Sequence, residues 1–199
     1  MARPRDEDRF NDNQHSLLLI GMQLIRARSF ASIGINDVLR EADIPKGSFY
    51  HYFRSKEDFG IKVAELYNQQ QVRSAQEILE NQGLPAYDRL KLFFLSAYEE
   101  FAGKAFRQGC LMCNLSTELA DESPNFRLAL DQHWQNLSAV IQGCLSELDK
   151  SRIGLAHLAD KDAADWLLNA WSGALTRMKT VESGEPLDLF MKFTFKEDR

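Results

Sequence analysis

The sequence predicts an all-α chain with a small three-helix head over residues 1–58 and a larger helical body over residues 59–199. Three observations carry that expectation. Apolar residues recur at three- and four-residue steps almost throughout, strand-like alternation is nearly absent, and glycine, proline and serine punctuate the periodic stretches at helix-length intervals. No internal repeat or low-complexity tract interrupts the pattern. With 199 residues, 44% of them hydrophobic and 27% charged, the chain can bury a sizeable core without cross-links and lacks the composition of a disordered segment.

Leu17, Ile20, Gly21, Leu24 and Ile25 trace one stripe, which makes residues 14–28 an amphipathic helix ending near Ser29. Gly34 is a permissive N-cap for a short helix over 35–42, with Val38, Leu39 and Ala42 facing inward. Pro45 stops it, because proline lacks an amide donor and biases Ile44 towards extended geometry. A second short helix, 46–53, begins at once. Ser55 and Asp58 have capping-box spacing, with Asp where Glu or Gln is usual, and open a long helix over 56–80. Gly83 and Pro85 close it. Further helices are expected at 86–104, 110–121, 124–149, 161–181 and 187–196, divided by Gly109, Ser123-Pro124, Gly154 and Gly184-Glu185-Pro186.

The net charge of −5 is unevenly placed. Residues 1–60 hold nine Lys and Arg against nine Asp and Glu, so the whole acidic excess belongs to residues 61–199, and Ile44–Lys56 contains no carboxylate. The body should repel nucleic acid while the head is free to approach it. Met1–Asn13 is charged and lacks the apolar core of a secretory signal or anchor, and no run approaches the roughly 18 apolar residues of a membrane span. Cys110, Cys113 and Cys144 form an odd set without an export signal, which points to free thiols in the cytoplasm. No Ser-His-Asp order, paired catalytic carboxylates or glycine-rich phosphate loop stands out, so an enzyme is not expected.

Two short helices joined by a tight turn, the second basic and aromatic, have the composition of a DNA-reading helix-turn-helix. Over 46–53, Phe49, Tyr52 and Phe53 share the packing side, while Gly47, Ser48 and His51 share the side open to a duplex. Gly47 lets a backbone come close, and Ser48, Tyr50 and His51 supply donors for phosphates or base edges. Lys56 stands at a helix start, where the dipole and free amides already favour phosphate.

The string Pro45-Lys46-Gly47-Ser48-Phe49-Tyr50-His51-Tyr52-Phe53, followed by Ser55-Lys56-Glu57, resembles the signature of the TetR family of repressors over roughly Leu17–Phe59. The resemblance implies that Gly34 and Ile35 hold a phosphate of double-stranded operator DNA, that Lys46–His51 enter the major groove, and that Lys56 clamps the backbone. Three positions depart from the pattern. Gly34 replaces the usual Thr or Ser cap, and Ser29 and Asp43 replace turn glycines, which asks each for unusual backbone angles at a cost of about 1 kcal/mol.

In the body, Ala163, Leu167, Ala170, Ala174 and Met178 form one stripe, with Trp166, Trp171 and Gly173 beside it. With Leu187, Phe190 and Phe193 they resemble the paired C-terminal helices through which TetR-type proteins dimerise. A homodimer sets two heads on half-sites roughly 34 Å apart, so a ligand that alters head spacing alters affinity without touching DNA. The body is thus expected to sense a ligand and dimerise.

Gly109 permits a sharp turn that places Cys110 in the first turn of a helix, where the dipole favours thiolate and Arg107 adds positive charge. Gly-Cys-Leu after such a head resembles the subfamily of the N-ethylmaleimide-reductase repressor and acrylate-responsive regulators, which implies sensing of an electrophile or oxidant at Cys110. Cys113 lies three residues on as a resolving thiol, although helical geometry strains a disulfide at this spacing. Phe94, Tyr98, Cys110, Asn114, Glu118, Trp134, Trp171 and Arg177 are expected to line an inter-helix pocket for a small anionic or unsaturated ligand. Two other readings of the cysteines stay open. One is a thiol-disulfide oxidoreductase built on Cys110 and Cys113 without the usual βαβ context; the other is a zinc module that adds Cys144 and His133 without paired structural spacing.

Overall fold

The computed structural model describes residues 4–196; Met1–Arg3, the last three residues and the side chains of Pro4, Arg5, Asp6 and Asp8 lie outside the description, and with them part of the head's charge balance. Nine α-helices and no strand run through the described residues: α1 (Pro4–Ala27), α2 (Ile35–Glu41), α3 (Phe49–Tyr52), α4 (Lys56–Leu79), α5 (Ala86–Ala102), α6 (Leu111–Leu119), α7 (Pro124–Leu145), α8 (Asp160–Val181) and α9 (Glu185–Thr194). Lys46–Ser48 and Lys150–Ile153 are 3-10 turns.

Helix α1 starts well before the apolar stripe that announces it. Its polar first turns are held by tertiary contacts: the side chains of Asn13 and Gln14 donate to the Tyr52 hydroxyl (3.1 Å) and carbonyl (3.0 Å), and Phe10 packs on the Tyr52 ring at 4.9 Å. Hydrophobic periodicity reports burial against a core, so it is silent where the contacts are polar.

Helix α2 closes with the amides of Asp43 and Ile44 donating to the carbonyls of Arg40 (3.3 Å) and Leu39 (2.9 Å), and with Asp43 left-handed at φ 52°. The strain expected at Asp43 is therefore present. Ser29 is a correction: among the described non-glycine residues, positive φ is confined to Asp43, Ala105, Phe106 and Glu182. Instead Ser29 and Ser32 exchange amide-to-hydroxyl bonds, each of 3.2 Å, and turn the chain without a left-handed residue. Helix α4 opens as its spacing predicts, with the Asp58 amide donating to Ser55 Oγ at 3.0 Å, and the Asp58 carboxylate reaches back to the Arg54 amide.

Two apolar clusters organise the chain. The first joins Leu17, Ile25, Leu39, Phe49 and Phe53 of the head to Phe59, Val63 and Tyr67 of α4, Leu111, Leu115 and Leu119 of α6, and Phe126 and Leu130 of α7. The second gathers α5, the later part of α7, α8 and α9 around Leu90, Phe94, Ile141, Leu167, Trp171 and Phe190. Gly60 lets the two parts meet: a Cβ there would lie 2.4 Å from Phe30 and 2.6 Å from Phe126. Head and the α6–α7 end of the body thus share one core.

The expected stripe on α8 divides. Ala163, Leu167 and Met178 face the core beside Ala164, Leu168, Trp171 and Leu175, whereas Ala170 and Ala174 line an outer groove with Trp166 and Gly173. Both faces of α8 carry apolar residues, so spacing alone cannot say which meets the interior.

Candidate DNA interface and thiol cavity

The reading segment starts as a 3-10 turn and becomes helical at Phe49. Phe49 and Phe53, 1% and 2% exposed, anchor it in the shared core, which leaves Lys46, Gly47, Tyr50 and His51 on the outside and Ser48 half-buried. Tyr50 is 69% exposed despite being an aromatic residue, an arrangement that costs apolar contact with solvent unless something covers it. His51 is propped by the edge of Phe10, ring centroids 5.4 Å apart. A Cβ on Gly47 would meet nothing within 4 Å, so internal packing does not require glycine there.

At the start of α2 the Gly34 amide donates to Asp37 Oδ2 at 2.9 Å, and this bond, reinforced by Arg40, holds the Asp37 carboxyl below its ordinary range. A phosphate at this end would have to use the Ile35 amide or displace the carboxylate. Lys56 lies across the neighbouring loop, its ammonium 3.4 Å from the Ala31 carbonyl and 4.7 Å from the centre of the Phe30 ring.

Cys110 is the N-cap of α6, so the helix starts one residue later than expected, at Leu111. The bond with the Cys113 side chain, and after it the amides of Cys113 and Met112 and the Tyr67 hydroxyl, outweigh burial and bring its thiol down to about 6. Tyr67 Oη stands 3.8 Å from Cys110 Sγ. Burial and the facing thiolate push that phenol well above its ordinary range, so it keeps its proton and can donate it to sulfur. The bond between the two cysteine side chains, seen from the Cys113 side, pushes the Cys113 thiol up, and burial adds to it. Arg107 does not supply the expected positive charge; it pairs with Glu182 at the end of α8, 3.2 Å away. The lowered thiol is the work of hydrogen bonds and a helix start.

The approach to Cys110 is strained, with Ala105 and Phe106 both left-handed at φ 52° and 57°. Gly109 is needed for close approach, since a Cβ would stand 2.9 Å from Asn114 Oδ1 and 3.2 Å from the Lys179 chain. Cys110 and Asn114 open, with Thr117, Thr176 and Lys179, onto a cavity of about 220 Å³ between α6 and α8. A second cavity of about 310 Å³ shares Cys113, Thr117 and Thr176 and reaches Trp134, Asn169 and Ser172. Asn114 Nδ2 is buried there without a hydrogen-bond partner, an unspent donor.

Residues 17–59 match the bacterial regulatory proteins of the tetR family, and residues 86–194 match the tetracyclin repressor-like, C-terminal domain. The chain belongs to the TetR family. Among its relatives, the transcriptional regulator AcuR of Cereibacter sphaeroides is 34% identical, over 96% of this chain and 87% of that protein. The HTH-type transcriptional repressor NemR of Escherichia coli K12 is 31% identical over 89% of each. Solved structures agree: a regulatory protein TetR from Rhodobacter sphaeroides superposes with a TM-score of 0.82 at 31% identity, covering 89% of this chain and 94% of its own. The reduced form of E. coli NemR gives 0.77 at 30% identity, covering 90% and 94%.

As a TetR-family chain the protein is a DNA-binding transcriptional regulator, and the oxidoreductase reading is left without support. The zinc reading fails on placement. Cys144 is buried in the body and bonds the Ala86 carbonyl at 3.4 Å, and no group of three or more His, Cys, Asp or Glu is placed to hold a metal among the described residues. Nor is any described helix long and apolar enough to cross a membrane.

The eight residues expected to line one pocket are dispersed in this TetR-family body. Cys110 and Asn114 share a cavity, and Trp134 lines the adjoining one while its indole N–H donates to Ser116 at 3.2 Å. Phe94 and Trp171 are core, with ring centres 5.2 Å apart. Tyr98 packs on Phe106 at 5.8 Å, Arg177 lines the outer groove, and Glu118 turns to the head. Sequence reasoning missed Asn169, Ser172, Thr176 and Lys179, which the cavities do use. Their three- and four-residue spacing puts these polar side chains on one stripe of α8, and that stripe was the signal.

Proposed function

We propose that the protein is a homodimeric repressor that leaves its operator when a small electrophile or oxidant reacts at Cys110. The observation that carries this reading is a thiol held near pKa 6 beside a cavity lined also by Asn114, whose amide N–H is unpartnered, and by Lys179. These groups suit a small unsaturated carboxylate or carbonyl compound. Its oxygen accepts from Asn114 or Lys179, and the thiolate forms a bond to the β-carbon. The alkene π pair then moves to the α-carbon, where a proton from water completes the adduct.

Dimerisation is supported by the outer groove of α8 and α9, about 650 Å³, beside which Trp166, Leu189 and Phe193 are 47%, 58% and 65% exposed. DNA contact is supported by the outward set Lys46, Gly47, Tyr50 and His51, with Ser48 and Lys56 flanking and Gly34 and Ile35 at the start of α2. The head on residues 1–58 reads the operator and the body on 59–199 senses and dimerises.

The test is binding to DNA from upstream of the protein's own gene, before and after treatment with N-ethylmaleimide. Tyr50→Ala is expected to weaken specific binding by roughly 5- to 100-fold, the size of one lost base or phosphate contact, with an unchanged melting curve. Equal affinity of variant and wild type would remove Tyr50 from the interface, and binding that depends on salt but not on sequence would remove the operator.

A further inference from the structure

Glu118 was expected in the ligand pocket, but its carboxylate points the other way. It accepts from two successive amides of the α1–α2 loop, Phe30 N to Oε2 at 3.0 Å and Ala31 N to Oε1 at 2.6 Å. That dipeptide is the one on which Lys56 rests, through the Ala31 carbonyl and the Phe30 ring. Phe30 is 7% exposed and its ring is wedged against Gly60, whereas Ala31 is exposed and its amide is held by Glu118.

We infer that Glu118 is a positioning residue of the DNA interface: from the body, it fixes the Phe30-Ala31 loop that sets where the Lys56 ammonium stands. Cys110 caps the same helix eight residues earlier, about 12 Å along its axis, so a displacement of α6 at the thiol reaches Lys56 through a rigid element. The inference rests on the proposed phosphate contact of Lys56. The chemistry selects glutamate for this place. Two converging N–H donors need two acceptor oxygens, and glutamine would offer one oxygen and turn its own N–H towards the other donor.

Simple electrostatics predicts the opposite sign, because removing a negative charge near DNA should tighten binding. The two effects can therefore be separated by fluorescence anisotropy on a duplex selected from a randomised pool, with wild type, Glu118→Gln, Lys56→Ala and the double variant over a range of salt. Glu118→Gln is expected to weaken binding about 5- to 10-fold and Lys56→Ala about 10-fold. The double variant should be little weaker than Lys56→Ala alone, since both changes act through one contact. Both single variants should also lower the salt slope by about 1.

Glu118→Asp, which keeps both oxygens on a shorter arm, should fall between wild type and Glu118→Gln, and circular dichroism checks that each variant is folded. Tighter or unchanged binding by Glu118→Gln, with Lys56→Ala weakened, would overturn the role of Glu118 alone. Multiplying effects in the double variant would overturn the route through Lys56. A neutral Lys56→Ala would overturn the phosphate contact itself, and that route with it.

Discussion

N-ethylmaleimide is expected to alkylate Cys110 first, about 10-fold faster than an ordinary exposed thiol at pH 6, and the adduct is expected to weaken operator binding. A thiol with a pKa of about 6 is half thiolate at that pH. An ordinary thiol near 8.5 is about 0.3% ionised there, so the gain in thiolate is roughly 150-fold. Nucleophilicity falls with basicity, with a Brønsted slope of about 0.4–0.5, which over about 2.5 units returns roughly 10-fold of that gain. The sign follows from the lowered pKa: the rate rises with pH up to about 6 and levels off above it, and the advantage is gone by about pH 7.5, where an ordinary thiol near 8.5 is about a tenth ionised but roughly 10-fold more nucleophilic. Cys113, raised first by its bond to Cys110, and Cys144, raised by burial, should lag throughout. Release from DNA should amount to about 5- to 150-fold, the usual range of coupling between two sites. Intact mass after brief exposure across this pH range, with anisotropy on the same samples, reads both quantities. Cys110→Ser should lose the fast phase and the release together; equal labelling or equal release in the two proteins would remove Cys110 from the mechanism.

Phe94→Ala is expected to cost about 3–5 kcal/mol of stability, against a total of roughly 5–15 kcal/mol for a typical domain. Phe94 is fully buried, and its ring centre lies 4.9 Å from Phe190, 5.2 Å from Trp171 and 5.9 Å from Phe195. Truncation would therefore empty the junction of α5, α8 and α9, the face that backs the proposed dimer groove. Urea unfolding at fixed protein concentration measures it, because the stability of a dimer depends on concentration. A loss below about 1 kcal/mol would mean that the ring borders open space, and would return Phe94 to the list of ligand contacts.

Much of the DNA-binding head is legible in the chain because its determinants lie within a few residues of one another. Pro45 marks the break between α2 and the next short helix and caps the turn that follows, Ser55 and Asp58 open α4, and the four residues Phe49, Tyr50, His51 and Tyr52 divide into inner and outer faces by helical spacing alone. The thiol at the start of α6 is legible for the same reason, since Gly109 and the helical pattern behind it place Cys110 at a dipole. The pocket was less legible. Aromatic character marks Phe94 and Trp171 equally for a core or for a ligand site, and only their neighbours separate the two.

By itself, then, the sequence determined the all-helical course, the inner and outer faces of the short helix after Pro45 and the presence of a cysteine at a helix start, all of them consequences of short-range spacing. The tertiary structure alone decided that α1 runs on to the start of the described chain, that Arg107 serves Glu182, that α8 shares its apolar residues between two faces, and that Glu118 reaches the head. The physical reason is common to all four. A helix fixes where a side chain leaves the axis, but which partner it meets depends on neighbouring helices tens of residues away, and no local pattern encodes that distance.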